Sequence, residues 1–216
     1  STGAGTAPAW EDSSGVAGKV EGTNFTESLL VGHSTTGTLN AAERNTGVGI
    51  NAMDALTSGD QNTAIGRNAA SSITTGSDNT FVGQAAGNST TSASENTAVG
   101  SYALKTCSTS ASQNTAVGFE ALEIVSSGDY NIGLGWQAGD ALTSGKGNVL
   151  IGANVDADSA TGDRQLKIAT YDGTTTTTWI DGDSSGNVTL NADLTIGDDL
   201  LLDSDSCVLK FGDDQD

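Results

Sequence analysis

The chain has 216 residues, 27 of them acidic and 8 basic, which gives a formal charge of −19. This charge disfavours polyanionic partners, so we expect neither nucleic-acid binding nor association with anionic membrane surfaces. No run approaches the roughly 20 apolar residues that span a bilayer, and we predict no membrane insertion. Large aliphatic residues are scarce, although small apolar residues bring the apolar fraction into the usual range. The composition therefore indicates small residues packed in a regular arrangement.

A repeat organises the middle of the chain. Seven copies of an Asn-x-x-(Val/Ile/Leu)-Gly core begin at Asn45, Asn62, Asn79, Asn96, Asn114, Asn131 and Asn148. The step between copies is 17 positions, with a single step of 18 between the fourth and the fifth. A degenerate eighth copy, SLLVG, occupies residues 28–32. The fifth position is always glycine, and in the seven full copies it is Gly49, Gly66, Gly83, Gly100, Gly118, Gly135 and Gly152. Self-similarity at a fixed period predicts a repeat architecture.

The repeat length favours one coil of a β-solenoid, because a unit of this size is too short for two helices and a turn. Threonine, alanine and a β-branched residue before glycine favour a short strand, with the Val/Ile side chain on one face and its small neighbour on the other. A helix at residues 119–125 is the competing interpretation, but glycine and polar residues in the equivalent stretches weaken it. We therefore predict an all-β, parallel solenoid of eight coils over residues 28–155.

The predicted coil has two further features. Four repeats carry glycine at position fifteen (Gly59, Gly76, Gly128 and Gly145), where we expect a left-handed backbone conformation at a turn. Stacking at ~4.8 Å per coil gives a rod of roughly 40 Å in which the asparagines align as a ladder. One chain with so little bulk would bury a small core. Three chains around an axis would bury the second face of each strand, which predicts a homotrimer.

The Asn-Thr-Ala-Val-Gly-x-x-Ala-Leu pattern with its glycine turns resembles the left-handed β-roll heads of trimeric autotransporter adhesins. It is still more similar to related repeats in bacteriophage tail fibres, whose strand segments residues 179–190, 193–202 and 210–216 also resemble. Residues 3–10 are similar to the short strand linkers of such fibres, so the resemblance implies an N-terminal strand linker over residues 1–27. It also implies a left-handed coil and an intertwined trimer with a fibrous stem.

The function implied by this resemblance is that of a structural segment of a bacteriophage tail or receptor-binding fibre, located in the virion and involved in host attachment. Its expected partners are two further copies of itself, other tail or virion proteins, and a host surface receptor such as a glycan. Two alternatives stay open: a bacterial trimeric surface adhesin that binds matrix or glycans, and a capsid-decorating fibre.

After Gly152 we expect the 17-residue register to end and an acidic β-strand fibre segment to follow over residues 156–216. Alternating patterns predict strands at 165–171, 174–180 and 187–196. Asp181, Asp183 and Ser185 match the first half of a calcium-binding loop, but position twelve is Ala192, so a hairpin turn is the favoured interpretation. Further acidic pairs lie at 198–199, 203 and 205, and 213–214. We predict surface solubility as their purpose, and no metal or other cofactor.

Catalytic chemistry has little support in this sequence. The single histidine, His33, lies at a variable repeat position without a nucleophile motif, so we predict that the chain is not an enzyme. Cys107 replaces an aliphatic residue at repeat position twelve, and Cys207 lies beside apolar residues; both are predicted to be core residues. The repeat of Cys107 is one residue longer than the others, and the extra residue is expected to bulge outward at the turn.

Aromatic residues occur at the variable sixth and seventh positions of three neighbouring repeats, namely Tyr102, Phe119 and Trp136. Rings on a regular surface could bind a glycan or a receptor. Packing between chains of the trimer is the alternative explanation, and the sequence does not distinguish the two.

Overall fold

The computed structural model describes residues 18–22, 25–31, 40–108 and 111–195. All regular structure in these ranges is β-strand, so the competing helix at residues 119–125 does not form. The strands are β1 (Gly18–Gly22), β2 (Phe25–Val31), β3 (Ala42–Glu43), β4 (Thr46–Val48), β5 (Thr63–Ile65), β6 (Thr80–Val82), β7 (Thr97–Val99), β8 (Thr115–Val117), β9 (Ile132–Leu134), β10 (Val149–Ile151), β11 (Leu166–Tyr171), β12 (Thr176–Gly182) and β13 (Val188–Leu190).

Strands β2 and β4 to β11 form one parallel sheet in chain order. Each strand pairs with its equivalent one coil away, so that Thr63 of β5 lies opposite Thr46 on one side and Thr80 on the other. The degenerate first copy takes part as well, because Leu29 of β2 is paired with Thr46 of β4. The chain is an all-β, parallel solenoid with one strand of this sheet per coil, as the repeat predicts.

The parallel register continues past Gly152, where we expected it to end. Val149 of β10 pairs with Leu166 of β11, which lies one repeat period further along the chain. The repeat core is present there in altered form, with Gln165 in place of asparagine and Ala169 in place of glycine. The coil that begins at Asn148 therefore closes beyond residue 155, the predicted end of the repeat region, and one more parallel strand, β11, is added before the chain reverses into antiparallel β12.

Antiparallel strands adjoin both ends of the parallel sheet. Strand β1 pairs with β2 at one end, and β12 and β13 extend the sheet from β11 at the other. The strands predicted in the acidic segment are thus present within the described ranges. His33, Cys207 and the acidic residues from position 198 onward lie outside the described residues.

The core runs through the inside of the coil as columns of side chains at repeat positions three, eight and twelve, with a fourth column at position nine (Met53, Ala70, Leu104 and Leu122). A Cβ atom added to Gly133 at position three would lie 2.7 Å from the side chain of Leu122 at position nine of the preceding coil, so these two columns share the same space. Phe81 reverses the pattern: a Cβ atom added to Gly87 would lie 2.6 Å from its ring. In the coil of Asn131 both positions are glycine, and Leu122 and Leu150 of the neighbouring coils fill the space, so close packing is achieved across coils rather than within each one. The buried columns are Gly47, Ala64, Phe81, Ala98, Ala116, Gly133 and Leu150; Ala52, Ala69, Ala86, Ala103, Ala121 and Ala138; and Leu56, Ile73, Thr90, Cys107, Val125 and Leu142.

The glycines at position fifteen are explained differently from our expectation. Gly59, Gly76, Gly128 and Gly145 do not have positive φ. A Cβ atom on Gly59 would instead lie 2.2 Å from the carbonyl oxygen of Gly76, one coil further on. Close approach of successive backbones, and not a left-handed turn, makes glycine favourable there.

The longer coil keeps the register on either side of its extra residue; the predicted outward bulge falls on a stretch that includes residues 109 and 110, which lie outside the described residues. Cys107 stays buried at position twelve, and Ala111 is buried at the place of position fifteen. Asn96 Nδ2 donates to the carbonyl of Ala111 at 3.0 Å, as the other ladder asparagines do to their own position-fifteen residues. The added residue therefore falls between 107 and 111, and the register resumes at Asn114.

Candidate functional site

The repeat asparagines form a continuous ladder inside the solenoid, and all seven are fully buried. Asn131 shows the pattern: its backbone N–H and its Nδ2 both donate to Oδ1 of Asn114, at 2.9 and 3.0 Å. Its Nδ2 also donates to the carbonyl of Gly145 at 2.9 Å. Its own Oδ1 accepts two hydrogen bonds from Asn148. Each buried amide is therefore satisfied by the coils on either side, which fixes their stacking.

Two residues that are not asparagine complete this ladder. At one end Ser28 Oγ accepts a hydrogen bond from the backbone N–H of Asn45 at 2.7 Å. At the other end Gln165 donates through its backbone N–H and its Nε2 to Oδ1 of Asn148. Sequence reasoning missed Gln165, although its position one repeat period after Asn148 was a usable signal.

The position-five glycines lie where the chain leaves the sheet, and from Gly49 to Gly152 their φ angles are +131° to +141°. Side chains rarely adopt this conformation. A Cβ atom on Gly83 would also lie 2.3 Å from the carbonyl oxygen of Gly100 in the next coil. Both the dihedral angle and the close backbone contact therefore require glycine.

The outer sheet face consists of the side chains at positions two and four of β4 to β10. Although the chain has a charge of −19, none of these side chains is charged. The Val and Ile side chains at position four stay about two-fifths exposed, with values of 38–41% at Val48, Ile65, Val99 and Val117. The face comprises Thr46, Thr63, Thr80, Thr97, Thr115, Ile132 and Val149, and Val48, Ile65, Val82, Val99, Val117, Leu134 and Ile151. It is an uncharged strip of threonine and aliphatic side chains that follows the axis of the solenoid.

An aromatic row follows the position-five glycines, and we define it as Tyr102, Phe119, Trp136 and Tyr171. Tyr102 meets Phe119 edge to face at 6.1 Å between ring centroids, and Trp136 stacks on Tyr171 at 5.9 Å. The structure thus brings the three predicted aromatic residues to one edge and adds Tyr171. Sequence reasoning missed Tyr171 because we expected the register to have ended before it.

Carboxylates flank the aromatic row. Glu120 accepts a hydrogen bond from Gln137 Nε2 at 2.6 Å, and Glu123 pairs with Lys105 at 2.7 Å. Burial raises the pKa of Asp140 to about 6, and the charge of Asp156 beside it adds to this rise. The edge is therefore both aromatic and acidic.

The predicted half of a calcium loop is a hairpin turn between β12 and β13. Asp183 accepts hydrogen bonds from the backbone N–H groups of Ser185 at 2.8 Å and Asn187 at 3.0 Å. Asn187 Nδ2 and these backbone donors hold the pKa of Asp183 below its usual value. Asp181 lies in β12, opposite Thr189 of β13. Among the described residues, no group of three or more His, Cys, Asp or Glu is arranged to hold a metal ion.

Cys107 is a free thiol inside the coil. Its Sγ donates to the carbonyl oxygen of Ala111 at 2.9 Å, and burial raises its pKa to about 12. The thiolate, which is the nucleophilic form, is therefore suppressed near neutral pH.

A second ladder lies at position sixteen, where sequence reasoning identified no feature. Asp or Ser side chains there accept from the backbone N–H of position sixteen one coil earlier, as in Ser77 N–H to Ser94 Oγ at 3.0 Å. Asp129 Oδ1 accepts from Ser112 N–H in the same way. The recurrence of Asp or Ser at this position, at residues 60, 77, 94, 112, 129 and 163, was the available signal.

These features define a parallel β-solenoid with an internal amide ladder, an uncharged outer sheet face and an aromatic, acidic edge. Comparisons with protein-family models, with curated proteins and with solved structures give no match to the chain. In the described part of the chain, no helix is long and apolar enough to cross a membrane.

Proposed function

We propose that this chain is a non-enzymatic structural segment of a homotrimeric fibre, and that the fibre belongs to a bacteriophage tail and serves host attachment. The observation that supports the homotrimer is the outer sheet face, and the similarity of the repeat to those of bacteriophage tail fibres supports the tail role. The side chains of the outer sheet face repeat from coil to coil and carry no charge, so an identical face has the same axial spacing and can pack against it in register. Such packing would remove the exposed Val and Ile side chains from water.

The negative charge of the remaining surface also favours packing of the chains through the outer sheet face. With a charge of −19, two copies repel each other over most of their surface. The uncharged face is where this repulsion is weakest. A trimer built around it would be a stiff rod, because each coil is already bonded to both neighbours through strands and asparagines.

Sedimentation equilibrium and small-angle X-ray scattering test the trimer. We expect a rod with three times the 21.6-kDa chain mass. Val99→Lys and Val117→Lys, which place charges on the outer sheet face, should yield monomers. Val188→Lys, at an exposed position of β13, is the matched control and should leave the mass unchanged. A wild-type chain that stays monomeric at micromolar concentration would contradict the proposal.

The biological role needs a separate experiment. Antibodies against the chain, used in electron microscopy of phage particles from the source, should label tail fibres. Labelling of a bacterial envelope instead would favour the adhesin alternative, and labelling of capsids would favour a capsid-decorating fibre.

A further inference from the structure

The aromatic row has chemical properties that the proposed structural role does not require. Phe119 and Trp136 are 40% and 42% exposed, and the row extends from Tyr102 to Tyr171 along the axis of the solenoid. Four of the ten aromatic residues of the chain lie in this row. Phe119 and Trp136 stay exposed and Tyr102 and Tyr171 are half-buried, so burial in the hydrophobic core does not account for the row.

The polar groups beside the rings can accept or donate hydrogen bonds. Glu120 and Gln137 are already held in place by their mutual hydrogen bond. Tyr102 is fixed on two sides, because Gln84 Nε2 donates to its hydroxyl at 2.9 Å and Lys105 Nζ lies 5.2 Å from its ring centroid. Among the residues that the structure describes, none accepts a hydrogen bond from the indole N–H of Trp136. The edge is thus ordered before any ligand arrives, which lowers the entropic cost of binding.

We propose that the aromatic row binds a neutral carbohydrate chain lying along the axis of the solenoid. Aromatic faces carry partial negative charge and attract the polarised C–H groups of a sugar ring. Sugar hydroxyls donate to carboxylates such as Glu120, and sugar oxygens accept from the indole of Trp136. The acidic surroundings disfavour an anionic ligand.

The same acidic groups argue against a second copy of this chain as the occupant. A neighbouring chain would bring its own negative surface against Glu120, Glu123, Asp140 and Asp156. The cations that could offset this charge are few, and Lys105, Lys146 and Lys167 are already paired within their own chain. A neutral, hydroxyl-rich ligand meets no such repulsion.

This inference deepens the proposed function, because a fibre with a sugar-binding edge contacts a host surface along its side. The test uses the intact chain and hexasaccharides of glucose, mannose and N-acetylglucosamine as neutral probes, with an oligogalacturonate as the anionic one. Binding is followed by calorimetry and by tryptophan fluorescence. We expect at least one neutral probe to bind and the anionic probe to bind more weakly or not at all.

Variants identify the surface. Trp136→Ala should weaken binding by about tenfold or more, the loss expected when a large aromatic contact is removed. Trp179→Ala and Tyr130→Ala remove exposed rings outside the row and should leave the affinity unchanged. Circular dichroism and sedimentation of each variant show whether fold and mass are retained.

Three results would overturn the inference. The first is that no neutral probe binds the folded protein at millimolar concentration, and the second is that Trp136→Ala binds as well as the wild type. The third is that Trp136→Ala lowers the oligomer mass, which would make the row an interchain contact. The first two results leave the fibre proposal intact if the wild-type protein is still a trimer, so the two failures are distinguishable.

Discussion

The solenoid coils and the hairpin of β12 and β13 are both built from strands, but they differ in how many of their side chains are buried. Each parallel strand from β4 to β10 has three residues, and its central residue is buried. Strand β12 has seven residues but buries only Gly182, and the three residues of β13 are exposed. Strand length therefore says little about stability here; the internal core and the amide ladder distinguish the two regions.

The two regions should differ most in the unfolding free energy that they lose when an asparagine is replaced. Asn131→Leu removes the donor to Gly145 and the acceptor of two bonds from Asn148, leaving buried polar groups unpaired. We expect a loss of about 5 kcal/mol of unfolding free energy, because each unpaired buried group costs about 1–3 kcal/mol. Asn187→Leu in the exposed hairpin turn should cost less than about 1 kcal/mol. Urea denaturation measures the loss of unfolding free energy in each variant. Equal losses would show that the amide ladder does not stabilise the stacked coils.

Glycine substitutions separate steric clash from backbone strain. Gly83→Ala meets the backbone of Gly100 as well as an unfavourable φ, so we expect a loss of about 4 kcal/mol. Gly173→Ala has a φ of +100° but open space around its Cβ, so strain alone of about 1–2 kcal/mol should remain. Thermal melting of both variants measures the difference. A Gly83→Ala protein as stable as Gly173→Ala would contradict the close approach of successive coils.

A charge placed in the buried column at position twelve should lower the free energy of unfolding by a smaller amount. Cys107→Asp buries a carboxylate and should cost about 3 kcal/mol, whereas Thr177→Asp, at an exposed position of β12 opposite Thr170, should be nearly neutral. The native Cys107 thiol should react slowly with iodoacetamide in the folded protein, with peptide mapping to separate it from Cys207. Rapid labelling together with unchanged melting of the Asp variant would show that position twelve does not face the core.

The smallest expected effect is a change in how the free energy of unfolding depends on pH. The pKa of Asp140 rises from 3.8 to about 6 on folding, so the folded state favours the protonated carboxyl. The stability that this carboxyl contributes is present below pH 3.8 and is lost as the pH rises through 6. Because Asp140 is partly exposed, we expect a loss of about 1 kcal/mol, absent in Asp140→Asn.

Asp183 in the hairpin turn should behave in the opposite sense, because its pKa is lowered on folding. Its contribution is present above pH 3.8 and is lost as the pH falls below that value. Melting temperatures of Asp140→Asn and Asp183→Asn between pH 3 and 8 test both signs. If Asp140→Asn retained the wild-type decline between pH 4 and 6, another group would be responsible.

The repeat predicted much of this fold because it contains two physical signals at once. A small residue between Thr and Val indicates which side of the strand faces inward, and the invariant asparagine indicates a polar ladder. The end of the register was harder to find, since Gln165 and Ala169 perform the same roles with different side chains. Tyr171 was missed for the same reason, because it lies beyond the predicted end of the register.

Other features leave no pattern in residue type. Glu120 and Tyr130 adopt left-handed backbone conformations, with φ of 56° and 61°, although neither is glycine or asparagine. The same left-handed angles recur at repeat positions seven and seventeen whatever residue stands there, so residue preference alone could not reveal them. The carboxyls of Asp140 and Asp156 become neighbours because their coils are adjacent, which depends on the corner geometry rather than on the repeat.

The amide ladder also determines how such a rod responds to force. Hydrogen bonds of a sheet run across its strands, so in a solenoid they run along the axis. Pulling on the two ends therefore loads successive coils in series, and the coils would separate singly rather than shear together. In the proposed trimer, strength under tension would therefore depend on how firmly the three chains are joined side by side.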